Sequence, residues 1–315
     1  MKKNILIITQ KVDINDPVLG FFHQWIVEFS KRVNNVYVIC LEKGQYDLPK
    51  NVKVFSLGKE EGISKIKYTL NFYKYIWNLR KKYDSVFVHM NQEYVLLGGI
   101  FWRIFGKKVL MWRNHPQGSF LTKISVFLSS RVFCTSKDSF TNRFKKTKIM
   151  PVGIQIAGHP SDILRKENTI LSLGRISPVK NIETIIYAFS KMLKTKKDLK
   201  LSVVGSPTKR DIDEDYYKVL KTISSGVPKE SMDFIPGVSP DKTVDFYKSH
   251  DGTEFSYLSE HLYFPFNDSE MLAKKVLAFL SMSKEDKEKL RLDASRFVSS
   301  YHGLTSLVDK IILEI

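Results

Sequence analysis

Short apolar runs alternate with helix-period segments along almost the whole chain, and this alternation constrains the fold more than any other feature. Helical patterns lie over residues 20–32, 63–82, 94–105 and 121–129, and the predicted strands of the first half are KNILIIT, NVYVIC, NVKVFSL, SVFVHM, KVLMWRN, RVFCTS and KIMPVG. Continuous β-branched strands bounded by helices are typical of a parallel sheet that is covered on both faces. The alternation therefore predicts an α/β protein with a doubly wound sheet.

A second alternation begins after residues 151–168, whose Pro, Gly, His and Asp residues suggest a hinge. The strands TILSLG, LKLSVVG and MDFIPG are each followed by a helical pattern, and Asp268 is a natural N-cap for a later helix. We expect two Rossmann-like domains, residues 1–157 and 158–284, facing a central cleft. Helices in 285–315 are expected to pack back toward the N-terminal domain. Ligands of such sheets bind outside the carboxyl ends of the strands.

The composition is that of a globular protein, with 43% hydrophobic and 26% charged residues among 315. The start, MKKNILIIT, is predicted to be a first strand because its apolar part is too short for a signal peptide. The longest apolar run is about half of a membrane span. The only two cysteines, Cys40 and Cys134, end predicted strands without metal-like spacing, which favours buried structural thiols. We expect a cytoplasmic protein.

The formal net charge of +17 favours an anionic partner. Phosphate-bearing ligands, an acidic membrane surface and nucleic acid all fit, and a solvated basic face is the simple alternative. No recognisable RNA- or DNA-binding signature accompanies the charge, so a nucleic-acid partner is not expected. No G-x-G-x-x-G follows the first strand, which argues against a dinucleotide-dependent oxidoreductase.

The stretch LSLGRISPVKNIETIIYAF, residues 171–189, places two cations where a strand gives way to a helix. Gly174 permits close approach to the backbone, Arg175 offers a planar fork of donors, and Lys180 offers a compact charge. The helix predicted from Asn181 would add its positive end and free N–H groups. Together these groups would hold a diphosphate and stabilise a leaving group. The alternative is an ordinary surface pair of cations on a loop.

This stretch, followed by LSVVGSP and MDFIPGVSPDKTVDFYKSHD, resembles the carboxyl-terminal domain of the GT-B glycosyltransferases of family 4. The Gly-Arg strand end, the following Lys, the Val-Gly strand end and the turn before a helix closing on Asp appear in the family's order. The glycine-led LGFFHQWIVEFSKRV and the later MPVGI extend the resemblance over nearly the whole chain.

The resemblance implies transfer of a sugar from a nucleotide-diphosphate sugar to a glycan or lipid-linked acceptor of the cell envelope, with retention of configuration and no metal or other cofactor. It makes Arg175 and Lys180 the diphosphate contacts and places His115 near the transferred sugar, although a loop histidine is the alternative. Glycines would then allow close approach of the donor: Gly20, Gly174, Gly205 and Gly237. The last two are equally good turn glycines.

The chain departs from the family after Asp251. Relatives carry there a strand and a helix with two glutamates eight residues apart, whereas only nine residues, GTEFSYLSE, separate Asp251 from His261. Glu254 and Glu260 are six apart and do not reproduce the pair. The sequence therefore indicates an internal deletion and a shortened second domain. It leaves open a divergent enzyme, or a catalytically impaired or non-catalytic nucleotide-binding protein.

A basic, aromatic helix is predicted over residues 63–83. Four residues share one of its faces: Ile66, Leu70, Tyr73 and Trp77. Lysines flank this face, a pattern that suits peripheral contact with the inner, anionic surface of a membrane. The alternative is that the apolar face packs on the sheet and the polar face is solvated.

Overall fold

The computed structural model describes residues 3–155, 165–208, 210–238, 240–252 and 267–315. The chain divides into two compact units, the first formed by residues 1–156 with 298–315 and the second by residues 157–297. Both units alternate strands and helices, as the sequence predicts.

The first unit contains a parallel seven-stranded sheet in the order β3-β2-β1-β4-β5-β6-β7. Its strands are β1 (Ile5–Val12), β2 (Val36–Lys43), β3 (Val52–Ser56), β4 (Ser85–His89), β5 (Lys108–Trp112), β6 (Arg131–Cys134) and β7 (Thr147–Ile149). The direction of winding reverses between β1 and β4. The carboxyl ends of these two strands therefore flank the switch point, where doubly wound sheets bind ligands.

Helices cover both faces of this sheet, because its strands are apolar on both sides. They are α1 (Phe21–Ser30), α2 (Lys65–Leu79), α3 (Gln92–Ile104) and α4 (Phe120–Leu128). One core cluster joins α1 to side chains such as Ile5, Ile7 and Phe87. The other joins α2, α3 and α4 to the opposite face of the sheet, around Ile8 and Val88.

The second unit contains a smaller parallel sheet in the order β10-β9-β8-β11. Its strands are β8 (Lys166–Leu173), β9 (Lys200–Val204), β10 (Met232–Ile235) and β11 (His250–Gly252). Its helices are α5 (Ile182–Thr195), α6 (Asp211–Ser224), α7 (Pro240–Ser249), α8 (Ser269–Leu280) and α9 (Lys284–Phe297). The Asp268 side chain accepts a hydrogen bond from the Met271 N–H, which is the N-cap predicted for α8. Winding reverses here between β8 and β11.

The C-terminal segment 285–315 does not stay together, which differs from the prediction. Helix α9 belongs to the second unit, where Leu290 packs against that unit's core. The last helix, α10 (Leu304–Ile312), belongs to the first unit. The reason is polarity: α9 has no buried residue, whereas α10 buries Leu304, Leu307, Val308 and Ile311 beside α1.

The two cysteines lie as the sequence predicts. Cys40 and Cys134 are free and fully buried, and burial raises the pKa of both thiols, that of Cys40 to about 12. Within the described ranges, no helix has the length and apolar character needed to cross a bilayer.

Candidate functional site

The carboxyl edge of the second sheet brings together three of the predicted glycines. Gly174, Gly205 and Gly237 follow the adjacent strands β8, β9 and β10. The Gly174 N–H donates to the Val204 carbonyl at 2.9 Å, and the Gly205 N–H donates to the Ile235 carbonyl at 2.9 Å. These bonds hold the three glycine turns side by side at the edge where ligands of such sheets bind.

Gly205 has no room for a side chain. A Cβ atom built on it would lie 1.9 Å from the Gly174 carbonyl oxygen, a backbone atom that cannot move aside without breaking the β8–β9 register. Gly174 itself has a φ of +155°, a conformation that L side chains rarely adopt. The close approach of the two backbones thus requires glycine at position 205. The absence of a side chain at Gly174 leaves the backbone at the end of β8 accessible.

Lys180 lies over the Gly174 backbone. A Cβ atom placed on Gly174 would be 3.8 Å from Cε and 3.9 Å from Nζ of Lys180. The side chain comes from a short 3₁₀ turn, Pro178–Lys180, that precedes α5, and it is exposed. The predicted pair of a strand-end glycine and a lysine therefore meets in space, directly after β8 at the switch point.

Arg175 is half-buried, and among the described residues no group accepts a hydrogen bond from its buried Nε. Asp213 at the start of α6 is close enough for the Arg175 charge to contribute to lowering the pKa of its carboxyl. The main causes of that lowering are the hydrogen bonds that Asp213 accepts from Thr208 and Arg210. Among the residues that the structure describes, Arg175 therefore has a nearby countercharge but no direct ion pair, and its guanidinium keeps capacity for an anion.

Sequence reasoning did not single out Asp213, although it is fully buried and ionised. Arg210 donates two hydrogen bonds to it from Nη2, at 3.0 and 2.9 Å. The run TKRDID placed a threonine, an arginine and an aspartate near a predicted helix start, which was the available signal. Only the fold shows that this carboxylate lies near Arg175.

The structure corrects the prediction of free N–H groups at the start of α5, because the first of these groups already has an acceptor. The Ile182 N–H donates to the Tyr216 hydroxyl of α6 at 2.8 Å, and that hydroxyl donates to Glu183. Asn181 has left-handed backbone angles, and its side chain accepts a hydrogen bond from Thr184. The first amide of α5 is thus already capped from inside the unit.

Gly20 lies in the first unit, after β1, and is the buried N-cap position of α1. Its N–H donates to the Asp16 carbonyl at 2.9 Å. The Asp16 carboxylate accepts from the Val18 and Leu19 N–H groups and pairs with Lys11, which lowers the pKa of Asp16. The loop is rigidly braced at the switch point of the first sheet, where Gly20 was predicted to act.

His115 is exposed in the loop after β5. Its Nδ1 accepts a hydrogen bond from the Gln117 N–H at 3.0 Å, and its carbonyl accepts from the Phe140 N–H at 3.0 Å. These bonds organise the loop, which fits the simple alternative as well as the predicted contact with the transferred sugar. The role of His115 stays a prediction.

His89 is a buried histidine at the end of β4 that the sequence analysis passed over. Its ring stacks on Phe22 with centroids 3.9 Å apart, and Nδ1 lies 3.3 Å from the Thr9 hydroxyl. Burial lowers the pKa of His89 to about 3, so the imidazole is neutral at physiological pH. A histidine in the next-to-last position of the run SVFVHM was the only sequence signal.

Glu254 and Glu260, with the short run that departs from the family, lie outside the described residues. Within the part of the chain that the structure describes, no group of three or more His, Cys, Asp or Glu side chains is arranged to hold a metal ion.

Comparison with known proteins identifies a family and a curated protein to which this chain is similar. Residues 159–262 match the family described as glycosyl transferases group 1, and the match ends beside the short run after Asp251. The curated alpha-monoglucosyldiacylglycerol synthase of Streptococcus pneumoniae (strain ATCC BAA-255 / R6) is 29% identical over 120 residues, covering 33% of this chain and 26% of the relative. The chain thus matches about a quarter of that relative's length.

Solved structures match almost the whole chain. Anabaena HepE, solved with UDP and glucose, has a TM-score of 0.72 at 14% identity, covering 98% of both chains. A mutant of S. aureus TarM, solved with UDP, Fondaparinux and alpha-GlcNAc-glycerol, has a TM-score of 0.74 at 9% identity, covering 99% of both. At these identities the likeness concerns the fold. The chain shares the GT-B fold of these structures, and its residues 159–262 match the family described as glycosyl transferases group 1.

Proposed function

We propose that this protein is a retaining glycosyltransferase that moves a sugar from a nucleotide-diphosphate sugar to a glycan or lipid-linked acceptor. The observation that carries the proposal is the Lys180 ammonium beside Gly174, with Arg175 next in the chain after β8, inside the segment that matches the family. An ordinary surface pair of cations would not require Gly174 and Gly205, which leave the backbone after β8 accessible to a ligand.

In the proposed reaction the bond between the anomeric carbon and the diphosphate oxygen breaks, and the acceptor hydroxyl forms the new bond and loses its proton. The departing diphosphate gains negative charge. Arg175 and Lys180 would bind this charge more strongly in the transition state than in the bound donor, which lowers the barrier. Gly174 would let the diphosphate approach the backbone beneath the Lys180 ammonium.

The remaining predicted residues take supporting roles. Gly205 and Gly237 would line the pocket for the base and the ribose, next to the diphosphate contacts. Gly20 would allow approach of the donor or reacting sugar to the braced loop after β1, and His115 would contact the transferred sugar. No metal or other cofactor is required by the proposal, because the cations supply the charge compensation.

The nucleotide and acceptor follow from the compared proteins only by analogy. Two of the fold relatives were solved with UDP, so UDP-sugars are the first donors to test. The curated relative is named for a glucosylated diacylglycerol, which makes a lipid acceptor a reasonable member of the screen. We propose a cytoplasmic enzyme that works at the inner face of the membrane in cell-envelope glycan synthesis.

The test is a binding and turnover screen of nucleotide-sugars with the full chain. Arg175→Ala and Lys180→Ala should each weaken binding of the selected nucleotide-sugar about 10- to 100-fold, since each removes a charge-assisted contact to phosphate. Lys218→Ala is the matched control, because Lys218 is an exposed lysine of the same unit that pairs with Asp215 on α6. Unchanged binding in both site variants would refute the diphosphate assignment.

A second candidate function is a catalytically impaired or non-catalytic binding protein on the same fold. The short run GTEFSYLSE favours it, because the family's paired carboxylates have no counterpart there. Such a protein should bind nucleotide-sugar through Arg175 and Lys180 without transferring or hydrolysing the sugar. Turnover that is lost in Arg175→Ala would exclude this candidate, whereas binding without turnover over the full acceptor screen would support it.

A further inference from the structure

Helix α2 is apolar on two sides, and only one side is used by the core. Phe72, Ile76 and Leu79 are buried against the sheet. The four residues of the other side remain in solvent, with exposed fractions of 75% for Ile66, 63% for Leu70, 41% for Tyr73 and 51% for Trp77. Helix α2 therefore does pack on the sheet, as the alternative expected, but not through the face that the sequence singled out. A stripe of this kind on a soluble helix marks a contact surface.

Helix α3 continues the stripe. Trp77 contacts Phe101 and Phe105 of α3, with ring centroids 6.1 and 6.0 Å apart. Two aliphatic side chains beyond them are also exposed, Ile100 at 62% and Ile104 at 76%. We call the residues Ile66, Leu70, Tyr73, Trp77, Ile100 and Ile104 the α2–α3 surface. The two helices lie on one face of the first sheet and contact each other through these rings.

Positive charge surrounds the α2–α3 surface. The Arg80 guanidinium lies 4.1 Å from the Trp77 ring centroid, and Lys67 and Lys74 are exposed on α2. Between residues 63 and 130 the sequence has eleven Lys or Arg residues and only two acidic residues, Asp84 and Glu93. The apolar stripe thus lies in a part of the chain with a large excess of positive charge.

We propose that the α2–α3 surface binds the surface of an anionic lipid bilayer. Aliphatic side chains would enter the boundary of the acyl chains, Trp77 and Tyr73 would lie at headgroup depth, and lysines would reach the anionic headgroups. A second copy of the chain fits less well, because a two-fold interface would place the same basic surface against itself. Nucleic acid offers no apolar site for Ile66, Ile100 and Ile104.

The experiment measures binding of the full chain to sedimented vesicles, one set of phosphatidylcholine with an equal share of phosphatidylglycerol and one of phosphatidylcholine alone. The wild type should bind the anionic vesicles at 0.1 M salt and dissociate at 1 M salt. It should bind the neutral vesicles at least about tenfold more weakly, because the basic groups act through the anionic headgroups.

Two sets of variants test the residues. The double variant Ile66→Ser with Ile104→Ser should lower partitioning at least about 30-fold, since two aliphatic side chains no longer enter the bilayer. Lys67→Gln with Lys74→Gln should lower it about 10- to 30-fold. Leu313→Ser with Ile212→Ser is the matched control, because these side chains are 83% and 62% exposed outside the surface.

The control should bind as the wild type does, and far-UV circular dichroism verifies that each variant is folded. The proposal is overturned if the folded wild type does not bind anionic vesicles at low salt, or if the Ile66/Ile104 variant binds equally well. Concentration-dependent dimers that this variant disrupts, without vesicle binding, would instead assign the surface to a second copy. None of these outcomes depends on glycosyl transfer. A failure to bind vesicles would remove the proposed location at the membrane and leave the proposed transfer reaction standing.

Discussion

His89 shows how one buried residue makes the stability of the first unit depend on pH. Its pKa in the folded protein is about 3, whereas an exposed histidine titrates near 6.5. Below pH 6.5, His89 binds a proton in the unfolded chain but stays neutral in the folded protein. The stability from neutral His89 is therefore complete above pH 6.5 and is lost as the pH falls toward 3.

We predict that the wild type loses stability relative to His89→Phe by up to about 1.4 kcal/mol per pH unit between pH 6 and 4.5. Urea unfolding followed by tryptophan fluorescence measures this, because all four tryptophans lie in the first unit. Phe22→Leu is the control: it removes the ring stacked on His89 but keeps the titrating group, so the wild-type slope should remain. Parallel profiles for wild type and His89→Phe would show that His89 is protonated in the native state.

The residues of the candidate site were partly readable from sequence. Gly174, Arg175 and Lys180 are close in the chain, and a strand-to-helix connection confines such neighbours to one sheet edge. Gly205 is different, because its need for glycine comes from a carbonyl on the adjacent strand 31 residues earlier. Asp213 likewise depends on how α6 lies beside the turn after β8. The local sequence pattern does not predict which of these distant residues come close together.

At the scale of elements, the start of α5 depends on α6. The Tyr216 hydroxyl accepts the Ile182 N–H and donates to Glu183, so one side chain caps the first turn of a neighbouring helix. Helix α5 supplies Ile186 and Phe189 to the core of the second unit. Its capping therefore affects the loop that carries Lys180.

We predict that Tyr216→Phe destabilises the second unit by about 1–2 kcal/mol, because the Ile182 N–H loses its acceptor. Hydrogen exchange followed by mass spectrometry should show faster exchange in the peptide containing residues 182–186. Tyr217→Phe is the matched control, since the Tyr217 ring keeps its edge contact with Phe234 at 5.6 Å. Equal exchange in Tyr216→Phe and wild type would mean that another group caps α5.

At the scale of the whole molecule, the first unit is closed by the end of the chain. Besides its buried apolar face, α10 contributes Thr305, which donates to the buried Glu28 of α1 at 3.0 Å. Arg32, two residues after the end of α1, pairs with Asp309 of α10. The Leu307 side chain also fills the space beside Gly153, where a Cβ atom would be 2.4 Å from its Cδ2.

We predict that deleting residues 298–315 abolishes cooperative unfolding of the first unit as seen by tryptophan fluorescence. Five buried aliphatic side chains are lost, each worth about 1.5–3 kcal/mol, which rivals the whole stability of a typical domain. A synthetic peptide of residues 298–315 should restore the transition when added in excess, and the same peptide with Leu307→Asp should not. A truncated chain that unfolds at the wild-type urea concentration would contradict this account.

The sequence by itself determined the α/β class, the order of strands and helices, and the glycine and cations of the candidate site. These features follow from backbone periodicity and from residues only a few positions apart, and both are local. The tertiary structure decided the rest: the clash that reserves Gly205, the capping of α5 by Tyr216, the return of α10 to the first unit, and the exposure of Ile66 and Trp77. Each depends on which segments distant in the chain come into contact, and a helix that is apolar on two sides does not reveal which side the core will take.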